Sequence, residues 1–146
     1  MSTTPLKIAR SIFETLKSEF PHLYMEIEEA PEYTEIELTI PAQDGLDHEV
    51  ALNLQNIDEL HFNVDDFWGE WFPCTDSKIA EGFLQAVRGF LSGRYRVVVY
   101  SRKGKSYKRL LQSPVEDSWN TEYTHTSVHW PGFSPQVRYV QNGSTT

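Results

Sequence analysis

Val50-Ala51-Leu52-Asn53-Leu54-Gln55-Asn56-Ile57-Asp58-Glu59-Leu60-His61-Phe62-Asn63-Val64 is the stretch that decides the fold. Val50, Leu52 and Leu54 stand two apart, as do Leu60, Phe62 and Val64. A strand sends successive side chains to opposite faces, so this spacing gives each run one apolar and one polar face. A short turn near Asn56 joins the two runs. Upstream, Ile36, Leu38 and Ile40 alternate with Glu35, Glu37 and Thr39, and Leu23, Met25 and Ile27 alternate with Tyr24, Glu26 and Glu28. Turn signals separate them, at Ala30-Pro31-Glu32 and at Asp44-Gly45 within a loop over 41–48. Links this short leave no room for crossover helices. The four strands are therefore expected as antiparallel neighbours, wet on one face.

Helical patterns flank these strands. Over 5–20, Thr4 can cap the helix and Pro5 suits its first position, while Ile8, Ala9, Ile12, Phe13, Leu16 and Phe20 form one apolar face. Over 76–92, Ile79, Phe83, Ala86, Val87, Phe90 and Leu91 do the same, and Gly93 stands where helices commonly end. Gly82 and Gly89 weaken this helix or mark a close approach to the sheet. A strand over 94–101 centres on Val97-Val98-Val99. Lys103-Gly104 signals a hairpin whose return runs over 106–112, and short strands fit near Tyr123 and over Val137–Val140. Together these predict an α+β domain over 1–140 with a flexible tail over 141–146. The expected architecture is a two-layer sandwich in the order α-β-β-β-β-α-β-β, one mainly antiparallel sheet of six or more strands covered on one face by both helices.

A chain of 146 residues fits one domain. It has no run of 18 apolar residues and no charged leader before an apolar core, so it reads as soluble and cytoplasmic. A single cysteine rules out an internal disulfide or a multi-cysteine zinc site. Neither a phosphate-cradling glycine loop nor a Gly-x-Ser-x-Gly elbow is present, and no cofactor is implied.

The net charge of −8 is unevenly spread. Residues 14–81 hold eighteen acids against Lys17 and Lys78, whereas residues 82–115 hold eight bases and no acid. The overall sign argues against nucleic acid and anionic membrane as partners. It leaves two readings of the acidic region. Either acidic and basic strands lie side by side and cancel across the sheet, or an acidic face is held open for a cationic protein.

The segment Asp65-Asp66-Phe67-Trp68-Gly69-Glu70-Trp71-Phe72-Pro73-Cys74 packs four aromatics and three acids between a strand and a helix. It reads either as an aromatic lid belonging to the core or as a binding surface in which Trp68 and Trp71 anchor a partner and Asp65, Asp66 and Glu70 select a basic one. The same three acids could hold a hard cation for metal-assisted hydrolysis. Cys74, at the start of the second helix, could act as a nucleophile with His125 or His129 as base, although nearby acids oppose a thiolate and a buried, inert thiol is the plainer reading. His125 and His129 would share a face of a strand, but without a third ligand they make no metal site. Arg94-Tyr95-Arg96, Arg102-Lys103-Gly104-Lys105 and Tyr107-Lys108-Arg109 interleave bases with tyrosines. Such a pattern suits single-stranded nucleic acid, and suits equally a polar sheet face with a charged tip that blocks aggregation.

In size, acidity and strand-rich pattern the chain resembles the small acidic α+β proteins with which bacteria neutralise toxins; the resemblance carries over no residue. The expectation is a non-catalytic domain that docks a basic protein through residues 65–74, an immunity-type inhibitor being one case. The rival readings are a small enzyme centred on Cys74 or on Asp65, Asp66 and Glu70, and a small-ligand pocket between the second helix and the sheet. The oligomeric state is left open.

Overall fold

The computed structural model describes residues 4–29, 34–127 and 134–143. Its elements run α1 (Pro5–Glu19), β1 (Glu26–Glu29), β2 (Ile36–Ile40), β3 (Val50–Gln55), β4 (Glu59–Val64), β5 (Phe67–Trp71), α2 (Ser77–Leu91), β6 (Arg96–Arg102), β7 (Lys105–Val115), β8 (Ser118–Thr126) and β9 (Gln136–Val140). The expected turn at Ala30-Pro31-Glu32, His129 and tail residues 144–146 lie outside the described residues. No helix among the described residues is long and apolar enough to cross a membrane.

Local chemistry explains the helix starts. Thr4 Oγ1 accepts from the Lys7 N–H, with Pro5 at the first position, where a missing N–H costs nothing. Asp76 Oδ1 accepts from the Lys78 N–H at 2.8 Å and caps α2. Ala9, Ile12, Phe13 and Leu16 of α1 are buried, as are Phe83, Ala86, Val87, Phe90 and Leu91 of α2.

Strands β1 to β5 form an antiparallel meander in sequence order. The register aligns Leu38, Leu52, Phe62 and Gly69 in one row on its apolar face. α1 packs against β2 and β3, and α2 against β4 and β5, so both helices cover that face as expected. Each residue buried there removes apolar area from water at roughly 25 cal/mol per Å².

The α+β class is therefore present, but the single sheet is not. Two antiparallel sheets replace it, one of five strands and one of four in the order β8-β7-β6-β9. Two causes are visible. The aromatic segment expected as a lid forms β5 and ends the first sheet. The chain then leaves through α2, and β6 takes β7 and β9 as partners. Strand β8 closes the free edge of β5: the Glu70 N–H donates to Tyr123 Oη at 2.8 Å, and the Tyr123 ring packs 4.7 Å from Trp71 and 5.8 Å from Phe67.

Residues 141–143, within the expected tail, are held by hydrogen bonds. Asn142 is only 8 % exposed; its Nδ2 donates to the carbonyls of Gly45 and Leu91, and its Oδ1 accepts from the Asp47 N–H. Gln141 Nε2 donates to the Gly93 carbonyl and the Gly143 N–H to Asp47 Oδ2. These bonds pin 141–143 between the loop after β2 and the end of α2.

Candidate functional site

Strand alternation dictates what the helix-free face of the first sheet carries. With the apolar residues committed to the helices, the cross-strand row Glu28, Glu37, Asn53, His61 and Glu70 points the other way. The adjacent row runs Glu26, Thr39, Ala51, Asn63 and Trp68. None of the five strands contains a Lys or an Arg. The helices lie on the opposite face, and at the β5 end His125 of β8 meets Trp68.

The expectation that acidic and basic strands cancel side by side thus fails. The basic strands pair with one another in the second sheet. Glu28 and Glu37 even stand directly opposite each other, a like-charge pairing that costs stability. Arginine ion pairs among the described residues are peripheral: Arg10 with Glu29, Arg88 with Glu19 and Glu81, and Arg138 with Asp65 and Asp66.

Arg138 changes the standing of the sequence-derived site. Asp65 and Asp66 form the two-residue turn between β4 and β5, and the β9 guanidinium holds both, at 2.5 and 2.9 Å. The aromatic segment divides. Phe67 is buried, and Trp71 packs on the core against Phe62, Phe83 and Tyr123. Trp68 is 41 % exposed, and Phe72, just past the strand, is 53 % exposed. Of the two tryptophans expected as anchors, Trp68 is exposed and Trp71 is half-buried.

Beside Trp68 lies a polar cluster the sequence did not announce. His61 is 1 % exposed, with Nε2 3.0 Å from Glu59 Oε1 and Nδ1 2.7 Å from Trp68 Nε1. An indole N–H only donates, so Nδ1 accepts and the ring proton resides on Nε2, donated to Glu59. The Trp68 ring stacks on His61 with centroids 5.6 Å apart and meets His125 edge-on, also at 5.6 Å. The Asn56 amide, with His61 second, holds the Glu59 carboxyl below its usual range. Burial pushes His125 down, with Arg109 adding to the effect and Glu70 opposing it.

Among the described residues, one three-residue group could hold a cation: Glu59, His61 and Glu70, whose ligand atoms all lie within 4.8 Å of one another. The expected trio Asp65, Asp66 and Glu70 is not brought together. In the Glu59 group, coordination through Nε2 would move the ring proton to Nδ1. There it would meet the Trp68 N–H at 2.7 Å, donor against donor. The residues present therefore do not fit a metal while Trp68 holds its place.

Cys74 is 1 % exposed, and its N–H donates to the Asp58 carbonyl. Burial, reinforced by Asp58, pushes its thiol up, away from the thiolate a nucleophile needs. The groove of about 330 Å³ beside it is lined by Ile8, Ile12, Ala80 and Leu84 among others, and by no histidine. Beside α2 a cleft of about 290 Å³ is lined by Trp71, Lys78, Tyr95 and Glu122 among others, and by no phenylalanine. It stands at the bottom of the roughly 300–1,000 Å³ range of ligand sites. Sequence reasoning missed Glu26, Glu28, Glu37, Glu59 and His61 as parts of one surface. The available signal was the absence of any Lys or Arg between Lys17 and Lys78.

Compared with protein-family models, with curated proteins and with solved structures, the chain has no significant match.

Proposed function

We propose that the chain is a non-catalytic binding domain that docks a basic protein on the open face of its first sheet, in the manner of an immunity-type inhibitor. The observation that carries this reading is the glutamate-lined face without a Lys or Arg. Five carboxylates, Glu26, Glu28, Glu37, Glu59 and Glu70, project from four strands of one rigid sheet. Held on strands, they need no backbone ordering on binding, and only their rotamer freedom is lost. Trp68 and Phe72 supply exposed aromatic area along β5, one on each side of Glu70. An aromatic anchor beside a charged surface is the usual composition of a binding hot spot. The Arg138 pairs hold the β4–β5 turn and keep Asp65 and Asp66 at the rim.

The test pairs the intact protein with a Glu28→Lys/Glu37→Lys variant. Both are titrated with an oligo-lysine peptide while backbone amide shifts are followed. The expected shifts cluster on β1, β2, β4 and β5, and the variant binds at least about tenfold more weakly, as reversing two close charges requires. Shifts confined to the helices, or equal binding by a folded variant, would refute the proposal. In a cell extract, the same variant carrying Trp68→Ala should lose a basic protein that the intact chain retains.

A further inference from the structure

The second sheet shows the opposite character. Its core side carries Val97, Val99, Leu111 and Val140. The register places Arg96, Val98 and Tyr100 of β6 on the other side, with Lys108 opposite Tyr100 and Tyr139 opposite Val98. Val98 is 2 % exposed. The four strands contain six bases and one acid. That acid, Glu122, accepts from Ser113 Oγ and lines the cleft beside α2, away from this face.

Cations and rings alternate across the surface. The Arg96 guanidinium lies between two rings, 4.0 Å from the Trp119 centroid and 4.5 Å from that of Tyr139. Its Nε donates to Gln112 Oε1 at 2.9 Å, which fixes the plane of the fork. Lys108 Nζ lies 5.4 Å from the Tyr100 ring. Tyr139 remains 59 % exposed.

We infer that this face binds single-stranded nucleic acid, with bases on the Tyr139, Trp119 and Tyr100 rings and phosphates at Arg96 and Lys108. The exposed Tyr139 ring and the half-buried Trp119 and Tyr100 rings offer stacking to unpaired bases, and a guanidinium held flat presents paired donors to a phosphodiester. A duplex fits poorly, because its bases are already stacked on one another and leave no free face for these rings. Net charge opposes nucleic acid only where the charges mix, and here the strand carboxylates, Glu122 apart, belong to the first sheet, while Glu116 and Asp117 stand in the β7–β8 turn.

The test is fluorescence anisotropy at low salt with a labelled oligothymidine, the matching duplex and inorganic polyphosphate. The expected order is single strand tightest, with affinity falling steeply as salt rises. Tyr139→Ala should weaken the single strand about tenfold, the loss of one stacked base, while Tyr139→Phe keeps affinity. Lys108→Glu provides a second variant, on a half-buried side chain, and should weaken binding by a similar factor. Absence of binding at low salt overturns the inference. So does equal affinity for polyphosphate and oligothymidine with no effect of Tyr139→Ala, which would leave a charged surface suited to an acidic protein instead.

Discussion

The hydrogen bond from Trp68 Nε1 to His61 Nδ1 makes a definite prediction for Trp68→Phe. Phenylalanine keeps an aromatic ring over the imidazole and removes only the donor and part of the ring area. His61 is 1 % exposed, so water does not readily replace the lost partner. Leaving a buried acceptor unsatisfied costs about 1–3 kcal/mol, and a urea melt should show a loss of that size. A gain comes with it. With no donor facing Nδ1, the ring proton can move there and free the Nε2 lone pair, which faces Glu59 in the cluster of Glu59, His61 and Glu70. One imidazole and two carboxylates suit Zn²⁺. The variant should therefore be stabilised by Zn²⁺, by about 2.7 kcal/mol at a hundredfold excess over Kd, and the intact protein should not. Adding His61→Gln to the variant should abolish the effect. Long-range proton–nitrogen NMR would place the wild-type proton on Nε2. A wild-type proton on Nδ1, or equal Zn²⁺ stabilisation of both proteins, would refute the reasoning.

Three further outcomes are expected. Cys74, buried and pushed up, should react with a disulfide reagent only as fast as the protein unfolds, and rapid labelling near neutral pH would contradict its burial. Asn142→Ala removes three hydrogen bonds from a side chain 8 % exposed and should cost about 2–4 kcal/mol in a denaturant melt, whereas a cost near zero would mean that 141–143 are not pinned. His125 resists protonation in the folded state, so stability should fall as pH drops below the unfolded value of 6.5 and level off below the folded one. His125→Gln should flatten that segment of the curve, and an unchanged slope would count against it; Glu19 and Glu59, held low, act only at more acidic pH.

Both helices, the first four strands and the β6–β7 hairpin were legible because each has one clean period. β5 was not. Its core side reads Phe67, Gly69, Trp71, and the middle position is a glycine because a Cβ there would sit 2.7 Å from the Trp71 ring. With Trp68 on the outward side, aromatics occupy both parities and the period of two disappears. The division into two sheets was also hidden, since β6 chooses β9 across a long stretch of chain and no local pattern records that choice. At the site, Asp65 and Asp66 looked like free turn acids, and the Arg138 that pairs them lies 72 residues after Asp66. The Trp68–His61 bond links neighbouring strands, so it needed the register, which β5 alone supplies. The acidic face was half visible: alternation marked Glu26, Glu28 and Glu37, but their isolation from any base depended on which strands pair.

Separating its acids and bases into two sheets makes the molecule an electric dipole, whatever its net charge. Beyond about 8 Å in physiological salt most of the field is screened, so an approaching molecule responds to the nearer sheet rather than to the whole. A cation and a polyanion would then be steered to different sheets before either makes contact, and neither needs to displace the other. Copies of the chain present the same two poles to one another. At low ionic strength they should attract head to tail, a contact that does not close on itself and so favours open chains over discrete pairs. Salt thus both weakens individual encounters and keeps the protein from ordering itself into strings.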